Sequence, residues 1–468
     1  MKKIFAILLI MSILSSTKAQ IFRLISPTVF QPVRYSAIAI ADIDNDGDND
    51  VFISGEDTNS TAYSILYENM GNFQFSTITL PIGGLSLSAA QWGDYNNDGY
   101  PDLLIEGYNG NNGFLGILKN NGDKTFTLIN QNFPHVYMGD VAWVDYDNDG
   151  NLDFSCSGFE DQNNVYISKI FKNNGDGTFS EVNSANLPGT MYGKFKWADY
   201  DNDGYKDFIL TGYADDFFTH IFKNNGDGTF SLQNLGLFQC WLGDVEWADY
   251  NNDGNIDLII SGTGGNDGTT RKTILYQNLG DGTFSAIENI FPGVSHSSIE
   301  WADFDLDGDL DLYISGTMNT PGSGQYISTI FKNENGTFIE DTSFAPNYWG
   351  DVKVADLNGD NRPDIIITGL GTGDKLFSAL YENTPEPTQI SQQKKLIKIV
   401  GEKDAIKITG TKKINSVEIY DIQGRQVYKT NVDNYQYYFN TTKIENGIYL
   451  LNVIVNGKKF SKKFVIIR

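Results

Sequence analysis

Histidine and cysteine are nearly missing from this 468-residue chain, which has three of the first and two of the second. Zinc sites are built from clusters of those residues, so a zinc centre is excluded. Cys156 and Cys240 alone do not hold an exported chain together, and their spacing gives no reason to pair them. His135, His220 and His296 are far apart in sequence, and no GxSxG, HExxH or Cys/His pairing marks a nucleophile or a metalloprotease. Basic charge is short as well. The 34 Lys and Arg against 59 Asp and Glu leave a net charge of −25, which repels phosphate backbones, excludes nucleic acid as a partner and favours cations. The exception is the tail, where residues 390–468 hold 15 Lys/Arg against 6 Asp/Glu.

Long apolar runs are also lacking. The run Ile4–Leu14 follows Lys2-Lys3 and precedes Ser-Ser-Thr-Lys-Ala-Gln. It falls short of the roughly 20 residues that span a bilayer. Its three-part pattern predicts a secretory signal peptide over residues 1–19, cut after Ala19, with no transmembrane segment left after removal. No cysteine follows the cut, so a lipid anchor is not expected.

Glycine (48 residues) and aromatics (13%) are plentiful and favour sheets and turns over helical bundles. One nine-residue pattern occurs seven times, and its first aspartates lie 50 to 54 residues apart. Positions 1, 3, 5 and 9 offer side-chain oxygens, position 7 a main-chain carbonyl, and glycine at position 6 allows a sharp turn. Loop one offers Asp42, Asp44, Asp46, Asp48 and Asp50; loop two Asp94, Asn96, Asp98, Tyr100 and Asp102; loop three Asp145, Asp147, Asp149, Asn151 and Asp153. Loop four offers Asp199, Asp201, Asp203, Tyr205 and Asp207; loop five Asp249, Asn251, Asp253, Asn255 and Asp257; loop six Asp303, Asp305, Asp307, Asp309 and Asp311. Loop seven, with Asp356, Asn358, Asp360, Arg362 and Asp364, departs most. Asn361 stands at its glycine position, and Arg362 brings a cation beside it. The set is a cage for a hard cation, with more carboxylates than magnesium normally uses, and it couples metal binding to folding.

The flanks repeat too. Trp92, Trp143, Trp197, Trp247 and Trp301 stand two residues before the loop, and Gly or Ser stands six before it in every unit. An apolar run follows the loop, then Phe/Tyr-x-Asn-x-Gly-Asp-Gly-Thr-Phe, clearest at 171–179, 222–230 and 276–284, whose Asn-Gly and Asp-Gly steps suit hairpin turns. Each unit reads as four short strands. Seven such units predict an all-β, seven-bladed β-propeller over residues 20–383. The last unit stops one strand short at Asn383, and Phe22–Ile25 is a spare strand that can complete it. Residues 384–393 read as a polar linker, and 394–468 as a small Ig-like β-sandwich.

These units resemble FG-GAP/VCBS repeats of the integrin α-subunit type of propeller. The resemblance implies calcium in the loop between the first and second strands of each blade, up to seven ions, and a ligand face on the opposite side. The tail resembles the type A C-terminal sorting domain of the type IX secretion system, through Val417–Arg425, Glu445–Tyr449 and Lys462-Lys463-Phe464. That implies passage to the cell surface or beyond by way of the type IX machinery.

A fold alone gives no function. The expectation is a secreted or surface-held, non-enzymatic, monomeric binding and adhesion module for a glycan or a protein. A polysaccharide-acting enzyme or its accessory subunit, and a purely structural surface protein, are the alternatives. Candidate ligand residues are Tyr35, Tyr137, Tyr192, Trp241, His296 and Trp349, which lead into the first strands and would form one aromatic mouth. Connections at 213–219 and 263–272 are expected to open on the same face.

Overall fold

The computed structural model describes residues 21–384 and 397–466, apart from 27–28, 130, 266–267, 320–324, 403–404, 422–424, 445–446 and 457. The expected signal peptide and most of the expected linker lie outside the described residues. Contacts divide the chain into a unit Gln20–Thr384 and a second that includes Pro385–Arg468.

Among the described residues the first unit contains seven antiparallel sheets. Unit four shows the plan: Phe195–Ala198, Asp207–Tyr213, Phe217–Asn224 and Phe230–Gln233 pair in sequence order. The acidic loop joins the first two strands. The second strand packs on both faces and is buried from Asp207 to Gly212, which is why the sequence there is an unbroken apolar run rather than an alternating one. Its Phe208 and Leu210 join Phe195, Phe218 and Phe222 and meet Val144, Tyr146 and Ile170 of unit three in one cluster, so the core lies between neighbouring sheets. Each such side chain contributes about 2 kcal/mol by leaving water.

First strands of successive sheets touch in order, and Arg34–Ala41 of unit one also touches Val352–Ala355 of unit seven. The arrangement is propeller-like. The N-terminal strand Ile21–Ser26 supplies the missing fourth strand of the last sheet, pairing Phe22 with Asn383 and Leu24 with Tyr381. Units three and five add two-residue strands, Val136–Tyr137 and Cys240–Trp241. The expected connection at 213–219 is shorter than its sequence implied, because Phe217–Thr219 already belong to the third strand.

Small residues six before each loop have a local cause. A Cβ on Gly139 or Gly193 would lie 1.8 Å from the carbonyl oxygen of Ser157 or Thr211, in the same unit's second strand. Where serine replaces glycine, its hydroxyl reaches the preceding unit: Ser88 to Ser54 at 2.7 Å, Ser297 to Ser261 at 2.8 Å, and Ser36 to Thr368 at 2.7 Å. Cys156 and Cys240 are buried free thiols.

In the second unit, five strands form one hydrogen-bonded sheet rather than two separate ones. The long strand Ala405–Asp421 pairs with Ile397–Glu402 over its first half and with Gly447–Val455 over its second. Register shifts around Ile414 mark the exchange. Ile408, Ile414, Val417, Ile419, Phe439, Leu451 and Val453 form its core. Among the described residues no helix is long and apolar enough to cross a membrane.

Candidate functional site

The seven loops fold alike because each aspartate has a backbone task. The position-1 carboxylate accepts from the N–H groups of positions 5 and 6 at 2.6–3.2 Å in every loop. The position-5 carboxylate accepts from the N–H of position 7 at 2.9–3.1 Å. Residues at position 4 turn left-handed, with φ near 60° from Asn45 to Leu306, and Asn361 does the same at position 6 of loop seven, with φ of 61°.

Position 9 has a role that spacing did not reveal. Asp50, Asp102, Asp153, Asp207, Asp257, Asp311 and Asp364 are buried, and each accepts at 2.7–2.8 Å from the backbone N–H of an asparagine in the third strand. Burial pushes all seven carboxyls up to about 7. Those asparagines, Asn69, Asn120, Asn173, Asn224, Asn278, Asn333 and Asn383, are buried in turn. Each side-chain amide donates at 2.7–3.0 Å to the position-2 carbonyl of the preceding unit's loop. The loops therefore tie sheet to sheet as well as offering oxygens.

Three observations fit these loops to a hard cation. In loops one, three, four and six, three carboxylate oxygens from three aspartates lie within 4.8 Å of one another: Asp42, Asp44 and Asp50; Asp145, Asp147 and Asp153; Asp199, Asp201 and Asp203; Asp303, Asp305 and Asp311. Asp147 Oδ1, Asp201 Oδ1 and Asp257 Oδ2 are buried without a hydrogen-bond partner. A lysine ammonium rests on the position-3 carboxylate of each of those four loops as a stand-in cation.

Around the axis, the residue seven before each loop is left-handed, from Tyr35, Leu87 and Met138 to Trp349, with φ of 49–63°. For side chains of this size that conformation costs about 1 kcal/mol each or more. Backbone hydrogen bonds join them from unit to unit: Met138 N–H to Leu87 at 3.0 Å, Tyr192 to Met138 at 2.6 Å, Leu242 to Tyr192 at 3.0 Å, and Tyr35 to Trp349 at 2.8 Å. Their side chains line a mouth with Lys194 at its base. Tyr35 meets Trp349 edge-on at 4.3 Å, and His296 stacks on Trp349 at 4.7 Å.

Of the six aromatic candidates, the structure brings Tyr35, Tyr192, His296 and Trp349 to this mouth and adds the aliphatic Leu87, Met138 and Leu242. Tyr137 and Trp241 stand one residue earlier and pack elsewhere, Tyr137 against Tyr108 and Phe159, Trp241 against Tyr192 and Tyr213. Below the mouth, Asp140, Asp244 and Asp351 accept from Phe195, Ile299 and Ile38 N–H at 2.8–3.0 Å, so they join sheets.

Repeated four-strand sheets, each with an acidic loop between its first two strands, define a class of propeller-like repeat proteins. The FG-GAP-like repeat matches residues 22–105, 157–210, 199–260 and 249–314, together more than half of the sequence, and the chain belongs to that family. Residues 402–467 match the secretion system C-terminal sorting domain, so the tail is a type IX sorting domain and the chain is secreted to the cell surface or outside. No curated protein matches the sequence. Among solved structures, the chain is similar to PorZ, an essential surface component of the type IX secretion system of Porphyromonas gingivalis. That match has 14% identity and a TM-score of 0.42 and covers 94% of this chain and 60% of PorZ. The chain thus spans about 60% of the PorZ structure's length. It is also similar to the V. cholerae biofilm matrix protein Bap1, at 11% identity and a TM-score of 0.35, covering 95% of this chain and 83% of Bap1. An exo-β-1,3-galactanase from Phanerochaete chrysosporium matches at 10% identity and a TM-score of 0.34, covering 95% and 99%.

Proposed function

We propose that Gln20–Thr384 is a seven-bladed, calcium-loaded β-propeller that binds a glycan or a protein at the cell surface and leaves it chemically unchanged. The observation that carries this reading is the mouth. Seven non-glycine residues hold a strained backbone around one axis, and the side chains of Tyr35, Tyr192, His296 and Trp349 line the opening they make. Strain that persists at one place in every repeat is a reason to look for function there. Flat aromatic faces beside polar edges suit a sugar ring or a partner's side chains. Beneath the mouth, Asp140, Asp244 and Asp351 are engaged with backbone N–H groups and Glu246 with Lys196, which supports binding over acid–base catalysis.

In this reading the residues at positions 1, 3, 5, 7 and 9 hold calcium, with loop seven the weakest because of Arg362. The ion supplies charge neutralisation that locks each loop, and with it the staples between sheets. The sorting domain is the export address. A screen of glycans and surface proteins against the secreted protein, with calcium and with chelator, tests the proposal. A ligand whose capture is lost on Trp349→Ala supports it, and capture unaffected by that change moves the site elsewhere.

A further inference from the structure

The loops with aspartate at position 3 are the same loops that hold a lysine on it. In loop one, Lys124 Nζ lies 2.6 Å from Asp44 Oδ2. In loop three, Lys172 pairs with Asp147 and lies 2.8 Å from Asp149 Oδ2. In loop four, Lys223 pairs with Asp201 and lies 2.9 Å from Asp203 Oδ2. In loop six, Lys332 pairs with Asp305. Loops two, five and seven have Asn96, Asn251 and Asn358 at position 3 instead. Lys119, the lysine near loop two, reaches position 5, at 3.5 Å from Asp98.

Two unrelated places in the repeat supply the ammonium. Lys172, Lys223 and Lys332 each precede the staple asparagine of their own unit. Unit one has Glu68 there, and its cation comes instead from Lys124, in the last hairpin of unit two, which contacts Asp44 and Glu68 together. Loop five, with Asn251 at position 3 and Gln277 before its asparagine, has neither the extra carboxylate nor the lysine. An aspartate paired with lysine has the same net charge as an asparagine, so over positions 1, 3, 5 and 9 six of the seven loops come out alike, and loop two is one charge less negative through Lys119.

We propose that the lysine is the resident cation of loops one, three, four and six, and that a divalent cation enters them by displacing the ammonium from the position-3 carboxylate. The idea rests on the calcium reading above. It adds that the chain carries its own competitor, and that competition sets the affinity of these four loops. The geometry allows the exchange: the lysine side chains of loops one, three and four are 31–44% exposed, and a four-carbon stem can swing its charge into water.

The test uses the full-length mature protein, calorimetric calcium titration, and melting in EDTA. Lys223→Gln is expected to tighten one calcium site about fivefold, the equivalent of an exposed ion pair. It is also expected to lower the melting temperature in EDTA, because Asp201 is left without its cation. Asp201→Asn with Lys223→Gln gives loop four the Asn and Gln of loop five and is expected to return both readings toward the parent. Lys172→Gln repeats the experiment in loop three should the first variant fold poorly. If the parent binds calcium and neither lysine variant binds it more tightly, displacement is wrong while the calcium reading stands. If the parent takes up no calcium and melts alike in calcium and EDTA, both fall.

Discussion

The side-chain amide of Asn69 donates to the carbonyl oxygen of Leu357 at 3.0 Å, joining residues 288 apart in the chain. The same bond joins Asn224 to Tyr146 at 2.8 Å, over 78 residues. It recurs between every pair of neighbouring units, and the Asn69 bond is the member of the set that joins the first unit to the last. Asparagine suits the place because one side chain both donates and accepts. Asn224 Nδ2 reaches Tyr146 and Lys206 carbonyls while its Oδ1 receives Gly226 N–H at 3.0 Å.

Replacing Asn224 with Ala leaves the buried Tyr146 carbonyl and the half-buried Lys206 carbonyl and Gly226 N–H short of partners. The expected cost is about 2–4 kcal/mol, read as a lower urea midpoint with an unchanged slope. Asn69→Ala should cost a similar amount. A loss under about 0.5 kcal/mol in both would mean that water replaces the amide and that the ring is held by apolar packing alone.

The loops were legible in the sequence because their oxygens lie within nine consecutive residues, so Asp199 to Asp207 shows its chemistry without any knowledge of the fold. Asn224 was visible as a repeated letter, but its partner Tyr146 sits in another unit and no local pattern points to it. The mouth was half legible. What unites Tyr35, Leu87, Met138, Tyr192, Leu242, His296 and Trp349 is a left-handed backbone, not a residue type. Aromatic residue type therefore marks only four of the seven and also marks Tyr137 and Trp241, each one residue out of line.

Calcium should govern stability. With dissociation constants near 10⁻⁴ M, common for extracellular sites, millimolar calcium stabilises each loop by about 1.4 kcal/mol. Independent loops would together contribute roughly 10 kcal/mol, and chelation should lower the melting temperature by many degrees. Identical melting curves in calcium and EDTA would sink the calcium reading.

Acid should loosen the mouth. Burial, with Arg271 nearby, pushes His296 down to about 4, against roughly 6.5 in an unfolded chain. The unfolded state then binds the extra proton between those values. The contribution of His296 is thus fully present above about 6.5 and lost as pH falls toward 4, by up to about 3 kcal/mol. The position-9 aspartates have raised pKa values and shift stability the opposite way over the same range, so the comparison must be with His296→Phe. The parent should lose more stability than the variant between pH 7 and 4.5. Parallel losses would show that His296 titrates as if exposed.

Deleting residues 394–468 should leave the first unit folded, since that unit has its own hydrogen-bonded sheets and core. Export should fail, with the truncated chain retained in the periplasm of its native host. Normal surface delivery of the truncated protein would contradict the assignment of the tail as the export signal.

Trp349 and Trp241, treated alike when read from sequence, should part company. Trp349 lines the mouth between Tyr35 and His296. Trp349→Ala should weaken capture of any ligand found by about 1–3 kcal/mol if the ring is an anchor. Trp241 packs on Tyr213 at 5.3 Å and lies within the two-residue strand that pairs Cys240 with Gly264 and Trp241 with Thr263. Trp241→Ala should therefore reduce stability by about 2–3 kcal/mol and touch affinity only through Tyr192, its neighbour at 6.2 Å. Titrating both variants with the ligand, alongside urea melts in saturating calcium, separates the two effects. The reverse pattern, with binding lost in Trp241→Ala and only stability lost in Trp349→Ala, would place the contact surface outward along the inter-unit connections instead of over the axis.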